Sequence, residues 1–504
     1  MKYLSLQFIA LGYLFFKTFN LYGADTRKDL RVAIPNPIMN TDPDKVTIAQ
    51  ERFIIPLLYE GLFKLNEDGA IEPALAKSWK FDPVSKTLII EIENQSRFSD
   101  GTPVTVDDVA KSFQILCSES SKIRDLLEDL EGCTNPTISK PLFITDPKNH
   151  SVSFRLKYQP TSFLYRLASH PVLIFKRTTT GRTIGSGPYE MEDLNSTQLS
   201  IIPNKAIANT SRSGKHKRII FIYKKESHIS EDLQGKEFDL AAMYLSSTGQ
   251  RITNAAYKKY YHSPTVTQTL VLNPNEGAFA EIATRQRIRD RLNELKISSC
   301  NPGTNAAYGF IPPGVGGSLT DVNSIKQDPP KIPKIRKWNS VTIYEHKDRK
   351  SPCEEAIILK ALAEVQIKAN FQYEPSYKEM GPRRGAPSTP AYVELFVFPS
   401  RDAGTVLRRF LPGTKEPYFF YTKNLYQNLL HEAMNRPNLS DRFEIYRKIN
   451  QDIVNESIVI PLYYVGHVNF VKSCLSIDGD PLGIFISPNS FSYLEKIKRG
   501  EECS

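Results

Sequence analysis

Apolar and polar positions recur at short and frequently changing periods along the chain, so the predicted elements alternate in type. DLRVAIP (29–35) has strand character and stops at Pro35. Residues 46–63, VTIAQERFIIPLLYEGLF, carry apolar residues at helical spacing with a break at Pro56. TLIIEIE (87–93) alternates and is β-branched, as a half-buried strand requires. Thr105 and Asp108 predict a capping box before an amphipathic helix with Val109, Phe113 and Leu116 on one face. Strands are expected again at 152–156, 198–202 and 218–223, and a charged helix at 285–295, RQRIRDRLNEL. The stretch 326–337, KQDPPKIPKIRK, reads as a surface loop or linker. Another loop, 376–391, leads into the strand-like YVELFVF (392–398). Ser440 and Asp441 start a helix through 454, with Glu444 completing a capping box from Asp441, and VIPLYYV (459–465) is a further strand. No repeat with a period of 20–50 residues occurs. The order predicts a mixed α/β or α+β chain with long irregular connections.

Composition narrows the class. A chain of 504 residues predicts roughly two to four domains. With 40% hydrophobic residues, 27 Phe and 24 Tyr it has the material for a large core, which excludes disorder as its main state. A mean hydropathy of −0.35, with no run of 18 apolar residues, excludes a multi-span membrane protein. Residues 1–24 combine Lys2, an apolar stretch over 3–16 and the small pair Gly23 and Ala24, the order of a secretory signal peptide. The six cysteines are even in number and suit an oxidising, exported compartment. Cys117 and Cys133 stand near enough in sequence to bridge, and the pairing of Cys300, Cys353, Cys474 and Cys503 stays open. The net charge of +10 includes Lys2 and Lys17 of the leader. Much of the rest falls in 215–225, 285–292 and 326–337, which read as solvated surface, so nucleic acid is not expected as a partner.

Catalytic patterns are missing. None of the eight histidines forms a pair at zinc spacing, and His431-Glu432-Ala433-Met434-Asn435 lacks the second imidazole of HExxH. There is no GxSxG, no GxxxxGK and no CxxC, and Gly185-Ser186-Gly187 ends in Glu190 where a dinucleotide fingerprint needs glycine. Neither an enzyme nor a cofactor is expected. Trp79, among Ala and Leu, is predicted to be core.

From residue 59 a more specific pattern emerges. YEGL (59–62), PALAKSW (73–79), FSDGTPVT (98–105) and the helix start at 107–109 follow one another, and GSGPYEM (185–191), LQGKEFD (233–239), the segment 270–292 and the segment 439–465 come later. In that order they resemble the family 5 extracellular solute-binding proteins, the peptide-, dipeptide- and nickel-binding receptors of ABC importers. The resemblance covers most of residues 30–470. It implies a periplasmic binding protein type II-like α/β fold of the cluster C type, with two mixed lobes joined by a hinge and a third domain inserted in the first. By position, 25–58, 176–270 and 481–504 would form lobe I, 59–175 the β-rich accessory domain and 271–480 lobe II.

The resemblance also implies a function: a periplasmic, monomeric, non-enzymatic receptor that closes on an oligopeptide and presents it to a permease and ATPase. A nickel chelate, opine or sugar is the alternative solute, and a signalling protein without a transport role is the alternative class. At the ligand-facing strand the chain departs from the family. Where members carry a signature resembling W-x-x-D-Y-x-D-P, whose first Asp holds a peptide amine, this chain has Phe396 in the Trp place, Pro399 in the amine-binding place and Asp402 in the second Asp place. The expected ligand residues are therefore Glu394, Phe396, Phe398, Arg401 and Asp402, with Asp402 or Glu394 as substitute amine partners. Arg383, Arg384, Arg401 and Arg408 are candidates for a ligand carboxylate.

Overall fold

A computed structural model of the chain describes residues 28–66, 70–133, 143–169, 172–208, 210–319, 340–398, 401–410, 424–478, 490–500 and 503. The expected signal peptide, the 326–337 linker and Pro399 lie outside them. Two large sheets organise the described residues. The first has seven strands in the order Tyr189–Leu194, Gln198–Pro203, Arg218–Tyr223, Asp29–Ile34, Leu240–Leu245, His467–Lys472 and Tyr257–Tyr261. Its centre is parallel: Asp29–Ile34 pairs in parallel with the strands on both its sides. Central strands covered on both faces need apolar residues at successive positions, and Val32, Ala33, Ile34 and the run Leu240–Tyr244 are buried accordingly.

The second sheet has six strands, ordered Asn305–Ala306, Val459–Val465, Val266–Leu272, Ala391–Val397, Val341–His346 and Ala369–Glu374. One face packs Leu270, Ile343, Val393 and Leu462 in a core that also takes in Ile288 and Leu292 of the helix Ile282–Glu294 and Ile358 and Leu362 of Pro352–Glu364. The other packs Val271, Tyr392 and Phe396 with residues of the helices Asn424–Met434 and Leu439–Glu456. A third, four-stranded antiparallel sheet joins Ala76–Asp82, Thr87–Ile92, Ser151–Arg155 and Phe143–Asp146. It lies within the segment expected to be an accessory domain.

The chain crosses between the large sheets twice, through 262–265 and through Gly466. His467–Lys472 is hydrogen-bonded between two strands of the first sheet, although the expected boundary at 480 assigns it to the second lobe. Val266–Leu272 pairs wholly within the second sheet.

Several local expectations meet the structure directly. The Thr105–Asp108 capping box forms, with Thr105 Oγ1 accepting from the Asp108 amide at 3.2 Å and Asp108 Oδ2 from the Thr105 amide at 3.0 Å. Gly101 has φ +82°, a conformation that glycine adopts without steric cost. The late helix starts at Leu439, with Asn438 as its N-cap, rather than at Ser440, and no side chain caps it, because Asp441 already lies in its first turn. Trp79 is 39% exposed, its ring edge-on to Phe63 at 5.0 Å, since five of its strand's seven residues face solvent. The basic run at 285–292 is not simply surface either. Arg285 and Arg289 are buried and donate to the carbonyls of Glu456 (2.9 Å) and Val454 (3.0 Å), at the C-terminal end of Leu439–Glu456 where unpaired carbonyls favour a cation.

All six cysteines are paired: Cys117–Cys133, Cys300–Cys353 and Cys474–Cys503. Cys300–Cys353 spans a separation of 53 residues and pins the start of Pro352–Glu364 to the turn Ile297–Cys300. Replacing both of these cysteines with alanine is expected to lower unfolding stability by about 4 kcal/mol, mainly by freeing the unfolded chain. Guanidinium unfolding of the oxidised double variant would measure it.

Candidate functional site

The parallel strands of the first sheet end at Ile34, Tyr223 and Leu245, and those of the second at His346, Glu374 and Val397. Leu245 is in register with His467, the first residue after one crossing, and Val397 with Val266, the first strand residue after the other. The carboxyl ends of the two parallel sets therefore both lie at the hinge. In open α/β sheets the crevice outside the carboxyl ends is where loops are free to form a site.

The loops at that edge are held by one buried and one half-buried carboxylate. Glu51, 1% exposed, accepts from the amides of Met39 (3.0 Å), Asn40 (2.9 Å) and Thr47 (2.9 Å), fixing the segment that follows Asp29–Ile34. Glu226 accepts from the Leu245 amide at 2.9 Å and from the Thr248 hydroxyl, which sets the start of the short helix Ser246–Arg251. Apolar side chains are left uncovered on these supports. Met39 is 66% exposed, Leu245 40%, Tyr261 41% and Val397 47%. Isolated exposed apolar residues are ordinary; Leu245, Tyr261 and Val397 end their strands beside the hinge crossings, with Leu245 and Tyr261 on opposite faces of the first sheet because their partners His467 and Val468 are adjacent.

The hinge carries two histidines. The His262 amide donates to the His467 carbonyl at 2.9 Å, tying the two crossings together. Burial, helped by His467, pushes His262 down to about 3, and burial pushes His467 down to about 4, so both rings are neutral at physiological pH.

The residues expected to bind ligand all have partners within the second lobe. Phe396 and Phe398 have no exposed surface and pack edge-on to Phe310, with centroids 5.0 and 5.4 Å apart, in the core of the second lobe. Alternation alone does not distinguish a cleft face from a core face when helices cover both sides of a sheet. Glu394 is buried between Arg349 (3.0 Å) and Arg384 (2.7 Å). Asp402 is buried against Arg442, accepts from the Gly404 amide at 2.7 Å, and shares Arg442 with the Tyr446 hydroxyl (3.1 Å). Arg401 is half-buried, and its carbonyl accepts from the Gly316 amide at 2.7 Å. Arg383 pairs with Glu374 at 3.0 Å and lies over the Tyr344 ring at 4.4 Å. The structure thus gathers Glu374, Glu394, Arg349, Arg383 and Arg384 at the second lobe's carboxyl edge, with three arginines sharing two carboxylates. Asp402 and the two phenylalanines belong to that lobe's interior. No sequence pattern singles out Leu245, Tyr261 or Val397, because an apolar residue at a strand end looks like one more core position.

Comparison with known proteins agrees with this architecture. Residues 70–331, more than half of the chain, match the family described as bacterial extracellular solute-binding proteins, family 5. The periplasmic murein peptide-binding protein MppA of Escherichia coli K12 is 22% identical over 312 residues, which cover 57% of this chain and 57% of MppA. The chain's match thus spans little more than half of this relative's length. Clavulanic acid biosynthesis oligopeptide binding protein 2 superposes with a TM-score of 0.77 at 16% identity, covering 94% of this chain and 96% of that one. The binding protein AgaA of A. tumefaciens R10, in complex with agropinic acid, superposes at 0.74 with 16% identity, covering 94% and 99%. At such identities the superpositions speak to the fold.

Proposed function

The chain belongs to the bacterial extracellular solute-binding proteins, family 5, and from that premise we propose that it is a periplasmic, monomeric receptor that captures an oligopeptide between its two lobes for delivery to an ABC importer. The hinge of this reading runs through 262–265 and Gly466, with 59–175 as the accessory domain. The observation that carries it is the exposure of Met39, Leu245, Tyr261 and Val397 where the carboxyl ends of both lobes meet. A peptide offers apolar side chains to such a surface and main-chain groups to the adjoining strand ends, which gives affinity without strict side-chain readout. Closing the lobes removes that surface from water and strengthens each polar contact made there.

A second reading, capture of a non-peptide solute, draws on the engagement of the acidic residues expected to hold an amine: Asp402 with Arg442, and Glu394 with Arg349 and Arg384. A thermal-shift screen separates the two, using mixed tripeptides and pentapeptides against opines and the nickel–histidine complex. The peptide reading expects the peptides alone to raise the melting temperature, and a shift with an opine alone would replace it by the second reading. With a peptide ligand in hand, Tyr261→Ala is expected to weaken binding by roughly tenfold or more, from about 1.5–3 kcal/mol of lost apolar burial. Unchanged affinity by calorimetry would remove Tyr261 from the site.

A further inference from the structure

Four charged side chains meet where the accessory domain touches the second lobe. Asp129, 1% exposed, belongs to the accessory domain: its carbonyl accepts from the Lys157 amide at 2.9 Å, and the neighbouring Glu131 amide donates to Arg155 at 3.0 Å, fastening this turn to Ser151–Arg155. Arg166, on the helix Pro160–Ser169 of the same domain, pairs with one oxygen of Asp129. Arg408 comes from the second lobe, just after the helix Gly404–Leu407, whose Val406 and Leu407 lie in that lobe's core. Its guanidinium reaches across to Asp129 at 2.7 and 3.1 Å and also pairs with Glu128. Beside this group the Thr161 hydroxyl donates to the Pro437 carbonyl at 2.8 Å, and the rings of Tyr158 and His431 stack 6.0 Å apart.

We propose that Arg408 is a clasp between the lobes, a positioning residue that holds the second lobe against the accessory domain and so raises solute affinity without touching the solute. The charges balance only when the lobes meet. Arg408 alone reaches across the junction, to Asp129 and Glu128, and separation returns Arg408 and Glu128 to water while Asp129 keeps Arg166. Bidentate arginine pairing fixes the angle of approach as well as the contact, so the clasp sets how far the lobes close. The contacts of Arg408, of Thr161 with Pro437 and of Tyr158 with His431 lie between the accessory domain and the second lobe, away from the hinge crossings. The clasp thus adds to the closing free energy independently of what is bound, and a receptor that is closed more of the time binds its solute more tightly.

The inference rests on the two-lobed binding reading, but its test does not need a solute. Small-angle scattering of the full chain would be compared for wild type, Arg408→Gln and Arg408→Lys. Truncating one partner of a close charge pair is expected to raise the open-to-closed ratio of Arg408→Gln by roughly tenfold or more, seen as a larger radius of gyration. Arg408→Lys keeps the charge and is expected to recover part of the compaction. Superimposable curves for wild type and a folded Arg408→Gln would overturn the clasp and leave the solute-binding reading untouched. Should Arg408→Gln fail to fold, Thr161→Val combined with Tyr158→Ala loosens the same junction at its rim. Compaction equal to wild type in that variant would overturn the clasp equally.

Discussion

Replacing Asp402 with alanine is expected to destabilise the chain by about 3–5 kcal/mol, because it strands a buried arginine without its carboxylate. Arg442 has no exposed surface, and Asp402 supplies its carboxylate partner while also accepting the Gly404 amide. The Tyr446 hydroxyl beside it satisfies one donor and no charge. Urea unfolding would show the loss as a lower midpoint with a similar slope. The companion experiment is the double variant Asp402→Leu with Arg442→Met. Removing both charges replaces the pair with apolar side chains and is expected to recover most of the stability, as exchange of buried ion pairs for apolar residues often does. A folded Asp402→Ala protein of wild-type stability that lost affinity for free-amine peptides would instead restore Asp402 to the binding site.

Glu345→Gln is expected to work in the opposite direction. Glu345 is 4% exposed at the carboxyl end of Val341–His346. Burial, then Glu354, Glu355 and Glu394 nearby, push its carboxyl up to about 8, with Arg349 opposing. A carboxyl whose folded pKa lies above its unfolded one binds more protons when folded, so stability is lost as pH rises from about 4.5 through 8. The amide carries no charge to bury. The variant is expected to gain up to a few kcal/mol over wild type at pH 9 and little at pH 4.5. The two hinge histidines have the reverse sign. Their folded pKa values are depressed, so their contribution is complete above about 6.5 and declines as pH falls towards 4 and 3. Parallel pH curves for wild type and Glu345→Gln would show that the carboxyl is not the cause.

Much of the scaffold is readable in the residues themselves. Alternation located Thr87–Ile92, the Thr105–Asp108 pair located its helix, and Val459–Val465 ends where its pattern ends. The ordered motifs from YEGL to the late helix are enough to bring in a family and a two-lobed plan. What stays hidden depends on partners far away in sequence. Asp402 looks like a loop acid until Leu439–Glu456 packs and brings in Arg442. Arg285 and Arg289 look solvated because their partners are carbonyls at the far end of another helix, which no charge pattern reveals. Phe396 has the right parity for a cleft and the wrong neighbours, since Phe310 closes over it. Gly185 and Gly187 are needed for space: a Cβ would sit 2.2 and 2.5 Å from the backbone at Leu58. Leu245 and Tyr261 acquire meaning only when register places them beside the hinge crossings.

Native mass spectrometry of the protein as purified tests the central claim most directly, because closed lobes retain what they hold. The account predicts a heterogeneous set of adducts with peptide masses, released on mild denaturation and identifiable by fragmentation. A single adduct of non-peptide mass, or bare protein that stays bare after incubation with a peptide mixture, would contradict it.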